Sequence, residues 1–207
     1  IDRHSFHLSP TLQHLGHASR LRCTGKRMRV FVGEVSGLEH TRRELTNIAK
    51  MRPDADIIEP CQRRDWPDEG QWFAWHYIGH ARHRSDNPAY SSLTLKDGPL
   101  FGADLRLKRC RVGLVTLAAC RTAHQSVLPG EESTGLIRCL LEMGTRNVVG
   151  SHWAVSDKSA AAWMSSFYES LLSGQAVPAA VREASLKIRE TFRSAYDWAS
   201  FSVFGAG

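Results

Sequence analysis

A chain of 207 residues with 42% hydrophobic and 23% charged residues has the size and apolar content of one medium globular domain with a real core. No apolar run approaches the length needed to cross a bilayer, which excludes a helical membrane protein and predicts no membrane partner. The net charge of +6 is modest and its basic residues are dispersed. The densest stretch, Arg106, Lys108, Arg109 and Arg111, reads as a solvated face rather than a nucleic-acid patch, because no aromatics are interleaved as a stacking platform.

The cysteines, Cys23, Cys61, Cys110, Cys120 and Cys139, are odd in number and widely scattered. They do not read as a disulfide framework and fit a reducing, cytoplasmic setting. The start lacks the layout of a signal peptide, and Ile1 in place of Met suggests a fragment of a longer chain.

In chain order, Ser5 to Arg22 is mixed, with Pro10 opening a helical turn. Arg27 to Gly33 is a short apolar run ending in Gly and predicts a buried strand. Leu38 to Met51 has helical spacing and is closed by Pro53. Ala55 to Glu59 predicts a second strand, and Pro60 to Gly70 is irregular. Gln71 to Gly79 is an aromatic-rich third strand. After a polar loop at Arg82 to Asn87, Ser92 to Leu95 is a small strand, Asp97-Gly98-Pro99 a turn and Leu100 to Leu107 a short helix. Val112 to Ala118 is apolar almost throughout, as expected when both faces of a strand are covered.

Beyond a loop to Gly130, Glu131 to Met143 predicts a helix ended by Gly144. Asn147 to Ser151 is a further strand. One long helix is capped by Ser156 or Asp157 and runs to Leu172; another opens with Pro178 in its first turn. The chain ends in a short apolar piece, Phe201 to Phe204. Strands alternating with helices predict an α/β domain with a mainly parallel sheet, whose sites form at the carboxyl ends of strands.

Two residues terminate buried strands: His80 after the WFAWHYIG run and Cys120 after VGLVTLAA. If the strands are adjacent and parallel, both residues emerge at one edge, where an imidazole can activate a thiol. On spacing alone, a buried thiol and a satisfied core imidazole remain the plainer reading. His76 lies four residues before His80, but on a strand that spacing is roughly 13 Å, too far to share a metal ion. His76 is therefore expected to pack inside the sheet with one hydrogen bond.

WHYIGHA, SSLTLKDGPL, LVTLAACRTA, GEESTGL, NVVGSHWAVSD and DWASF occur here in the order of the CHAT domain family, which the chain resembles from about Pro10 to Phe204. CHAT domains resemble caspases and separases. The resemblance implies a single domain over residues 1–207, built as a caspase-like three-layer sandwich with a mainly parallel sheet flanked by helices. It implies an intracellular cysteine endopeptidase acting on a protein or peptide through an acyl-enzyme, with no metal or cofactor.

In the family's His-x-x-x-His pattern the second residue is catalytic, which matches His80, and the Cys of the Ala-Cys block matches Cys120. Backbone N–H groups of Cys120 and Ala81 would hold the oxyanion. Asp157 and Trp153 would help line the pocket for the residue before the cleaved bond, Asp157 pairing with Arg or Lys; a capping role for Asp157 and a core role for Trp153 are the alternatives. Glu131 matches an acidic family position, and the loop of residues 122–130 is a candidate element for ordering on catalysis. The family commonly sits behind regulatory sensor or repeat modules, implied here as partners.

Two neighbours of the pair stand apart. Arg121, just after Cys120, is expected to point to solvent. Ala81 stands where the family usually has Gly, and a positive φ there would strain Ala. That departure supports the alternative of a non-catalytic scaffold or binding module.

Overall fold

Eight strands, seven α-helices and two short 3-10 helices are found in the described part of the chain in the computed structural model, which covers residues 1–9, 12–84, 86–120 and 134–207, apart from the side chains of residues 12–14, 120 and 134. Strands β1 (Met28–Val32), β2 (Asp56–Ile58), β3 (Glu69–Arg82), β6 (Arg109–Cys120), β7 (Thr145–Ser151) and β8 (Phe201–Gly205) form a sheet of order β2-β1-β3-β6-β7-β8. All neighbours pair in parallel except β7 and β8. A hairpin of β4 (Ser92–Leu95) and β5 (Gly98–Phe101) joins the carboxyl end of β3 through Ala81 and Arg82. The predicted α/β class with a mainly parallel sheet is borne out.

The sheet is sandwiched, which is why its central strands are apolar on both faces. On one face, α2 (Thr41–Met51), α5 (Asp157–Leu172) and α6 (Val177–Thr191) bury Leu45, Ile48, Trp163, Phe167 and Ala184 against Val30, Ala74, Ile78 and Leu114. On the other, α3 (Gly102–Arg106) and α4 (Thr134–Met143) bury Leu105 and Leu140 against Phe31, Trp75, Tyr77 and Leu117. Side chains alternate along β3, so Trp75 and Tyr77 face α4 while His76 and Ile78 face α2 and α5. Phe31 stacks on Trp66 with ring centroids 4.0 Å apart, and Trp75 meets both rings edge-on.

The open edge of β8 is covered from upstream. Leu8 donates its N–H to Val203 and accepts from Gly205, each at 2.8 Å, ahead of α1 (Leu12–Arg20).

Several boundaries depart from the expected ones. The turn expected at Asp97-Gly98-Pro99 is a hairpin bend at Lys96-Asp97, because Gly98, at φ 117°, already pairs with Leu95 as the first residue of β5. Leu100 and Phe101 therefore belong to a strand, not to the short helix. Strand β3 runs past Gly79 to Arg82, since the hairpin supplies partners for two more residues. Helix α2 begins at Thr41 rather than Leu38. The four-residue α7 (Ala195–Trp198) was not anticipated; its capping Ser194 hydroxyl accepts from the Tyr196 N–H.

Burial pushes the thiol of Cys61 up to about 12 and those of Cys110 and Cys139 up to about 11, all from an ordinary 9.0. A pKa raised on folding favours the protonated folded form, so this stabilisation is complete below pH 9 and declines as pH rises toward 12. Urea midpoints are expected to fall progressively across that interval, and less steeply in Cys61→Ala.

Candidate active site

Parallel pairing of β3 with β6 sets His80 directly beside Cys120, the last residue of β6. Adjacent strands are about 4.8 Å apart, so the two main chains are neighbours at the carboxyl edge of the sheet. Both residues thus lie at one edge, as expected of adjacent parallel strands. The Cys120 side chain lies outside the described ones, as do Arg121, the loop of residues 122–130 and Glu131.

His80 is held at three points. Its N–H donates to the Glu34 carbonyl at 3.0 Å, and its own carbonyl accepts from the Tyr77 hydroxyl at 2.7 Å. Its half-buried ring places Nε2 2.8 Å from the Ser36 carbonyl oxygen. A carbonyl only accepts, so Nε2 must carry a hydrogen, and in the neutral ring Nδ1 is the nitrogen left to take up a proton.

The local sequence explains this support. The Tyr77 hydroxyl also reaches the Thr94 carbonyl at 2.9 Å, and it occupies space that two glycines leave open. A Cβ on Gly33 would come within 2.6 Å of that hydroxyl, and one on Gly79 within 2.7 Å. Gly79 also has φ 152°, in the region that favours glycine.

Glu34 and Ser36, in the turn after β1, were missed by sequence reasoning. The Glu34 carboxylate accepts from the Ser36 N–H at 2.9 Å and from its hydroxyl. The Ser36 hydrogen bonds, and secondarily the nearby His80, hold that carboxyl below its ordinary range. The available signal was an acidic residue just past a buried strand, at the edge where sites form.

The remaining predicted residues fall as follows. Asp157 opens α5, and its Oδ2 accepts from the His40 N–H, the cap of α2, at 2.5 Å. The carboxylate thus serves two helix N-termini, in keeping with the capping alternative; Oδ1 has no hydrogen-bond partner among the described residues. The Trp153 Nε1 donates to the Tyr196 carbonyl at 2.7 Å, and the half-buried ring packs against the α5–α6 core and Tyr196. Ala81 is a buried strand residue paired with Leu93. Its backbone is that of a strand, so the strain that a positive φ would impose does not arise.

His76 is fully buried and bonded to Glu44, Thr116 and Tyr168, more than the one hydrogen bond expected. No group of three or more His, Cys, Asp or Glu among the described residues could hold a metal ion, and no described helix is long and apolar enough to cross a membrane.

A family model, the CHAT domain, matches residues 25–206. Among solved structures, the separase of a Saccharomyces cerevisiae separase–securin complex is similar at TM-score 0.67 and 16% identity, covering 97% of this chain and 14% of that one. A second structure of that complex gives 0.62 and 16%, covering 93% and 13%. The Arg-specific cysteine proteinase gingipain R gives 0.57 at 10% identity, covering 97% of this chain and 48% of that one. The likeness establishes the caspase-like fold, and the chain spans less than half the length of each of these proteins. No match was found among curated protein sequences.

Proposed function

The chain belongs to the CHAT domain family, and from that premise we propose that it is a cysteine endopeptidase domain with Cys120 as nucleophile and His80 as its base. The register of His80 with Cys120 carries the proposal. The Ser36 carbonyl adds to it by fixing the tautomer that leaves Nδ1 to receive the thiol proton.

In this reading Nδ1 of His80 takes the Cys120 proton, and the thiolate attacks the scissile carbonyl carbon. The carbonyl oxygen becomes an oxyanion, held by the backbone N–H groups of Cys120 and Ala81. Collapse expels the amine, which receives the proton from His80, and leaves a thioester on Cys120. His80 then takes a proton from water as the water attacks the thioester, releasing the acid and restoring the thiol. No step calls for a metal or cofactor.

For the residue before the cleaved bond we favour Arg or Lys. Oδ1 of Asp157 would accept the charge-assisted hydrogen bond and Trp153 would supply a pocket wall. The similar gingipain R, an Arg-specific cysteine proteinase, has the same fold. The substrate is then a protein with a basic cleavage site, inside the cell, and a regulatory module elsewhere in a longer protein would control access.

The test is site-resolved labelling with a peptide chloromethyl ketone ending in Arg. Cys120 is expected to be modified at least tenfold faster than Cys23, Cys61, Cys110 or Cys139, and Cys120→Ala to abolish the fast phase. Equal labelling of all five cysteines, unaffected by His80→Ala, would leave a non-catalytic scaffold as the better reading.

A further inference from the structure

Four residues before His80 and Cys120 on their strands, the same register sets His76 beside Thr116. Both are fully buried, in the layer between the sheet and helices α2 and α5. Two further polar side chains close around them, Glu44 of α2 and Tyr168 of α5, also buried. His76 Nε2 lies 2.9 Å from Glu44 Oε1. His76 Nδ1 lies 2.5 Å from Thr116 Oγ1 and 3.1 Å from the Tyr168 hydroxyl. The Tyr168 and Thr116 hydroxyls are 2.6 Å apart.

A carboxylate, an imidazole and two hydroxyls in an otherwise apolar layer carry a desolvation cost that aliphatic residues would not. One proton arrangement gives every member a partner. Tyr168 donates to the Thr116 oxygen, Thr116 donates to Nδ1 of His76, and Nε2–H of His76 donates to the Glu44 carboxylate. Burial raises the Tyr168 phenol well above its ordinary value, so it stays protonated and serves as the donor that heads this series.

The four residues come from four elements, and all four elements meet at the candidate site. Strands β3 and β6 carry His80 and Cys120. Helix α2 follows the turn whose Ser36 carbonyl bonds the His80 ring. Helix α5 opens with Asp157, which accepts from His40 at the other end of that turn. The turn is thus clamped at one end by Asp157, and α2, onto which it leads, is clamped by Glu44.

We propose that Glu44, His76, Thr116 and Tyr168 are positioning residues, locking α2 against β3 and β6 so that the Ser36 carbonyl keeps the His80 imidazole aligned with Cys120. This rests on the peptidase reading above.

The test follows the pH profile of Cys120 alkylation by chloroacetamide, normalised to folded protein, in the intact chain and in Glu44→Leu, Glu44→Gln, Thr116→Val and Tyr168→Phe, with His80→Gln as reference. Misalignment is expected to lower the neutral-pH rate of Glu44→Leu about tenfold, toward that of His80→Gln, while Glu44→Gln, which keeps an acceptor, recovers most of it. Thr116→Val and Tyr168→Phe each remove one hydroxyl with little change of shape, and carry the test if Glu44→Leu does not fold. Variants that lose stability in urea yet keep the unaltered rate and profile would reduce the network to a structural one and overturn the proposal. A parent protein no more reactive than His80→Gln would instead overturn the peptidase reading, and the positioning role with it.

Discussion

His80→Ala is expected to lower peptide hydrolysis by on the order of a thousandfold while leaving the fold intact. The imidazole is half-buried at the edge of the sheet, and among the described residues its ring bonds to the Ser36 carbonyl. Its main-chain bonds to Glu34 and Tyr77 survive any substitution that keeps the strand. What disappears is the group that, in the proposed mechanism, takes a proton from the thiol and returns it to the leaving amine. Urea midpoints close to those of the parent, together with the loss of kcat, would separate this effect from unfolding. Residual activity within tenfold of the parent would remove His80 from the chemistry. His76→Ala differs in that the ring is wholly buried and bonded on both nitrogens, so its loss is expected to lower stability as well as the rate that depends on His80.

The largest effect on stability is expected at Trp75. The indole is fully buried, meeting Phe31 and Trp66 edge-on at centroid distances of 5.7 and 5.5 Å. Truncation to Ala removes the transfer energy of the ring and leaves a cavity between sheet and α4, about 3–5 kcal/mol in similar cores. That is a large share of the stability of an ordinary domain, roughly 5–15 kcal/mol. Trp75→Phe is expected to cost clearly less. The Trp75 Nε1 is buried without a partner among the described residues, so the change gives up ring volume but also removes that unsatisfied donor. Urea denaturation of both variants tests this, and a loss below 1 kcal/mol in Trp75→Ala would show that the aromatic cluster can close over the gap.

Much of the fold could be read from local pattern. The run from Val112 to Ala118 is too apolar for anything but a strand covered on both faces, and Pro178 and Gly174 bracket helix boundaries by their backbone chemistry. Where local chemistry is ambiguous, partners decided. Asp97-Gly98-Pro99 has the composition of a turn, yet Gly98 is recruited into β5 by Leu95. Arg82 looked like loop and the strand was expected to end at Gly79, because the partners that extend β3 lie ten or more residues downstream, in the hairpin.

The site shows the same division. Placing His80 and Cys120 near the carboxyl ends of two strands needed only the apolar runs, although β3 continues two residues past His80, whereas their register depends on how far two strands extend side by side. Glu44, Ser36 and Tyr77 gave no local signal. Ser36 acts through a main-chain carbonyl, and Glu44 sits where a helix normally shows an ordinary surface charge.

The pairing of Leu8 with β8 bears on where the folding unit begins. Those two main-chain hydrogen bonds occupy the outer flank of β8, one of the two edges of the sheet. A protein trimmed to start at β1 would keep every residue of the candidate site, but it would leave the amides and carbonyls of β8 as a template for strand addition by another molecule. Solubility and monodispersity are therefore expected to depend on a segment far from the candidate site, which a trimmed protein would show as lost monodispersity.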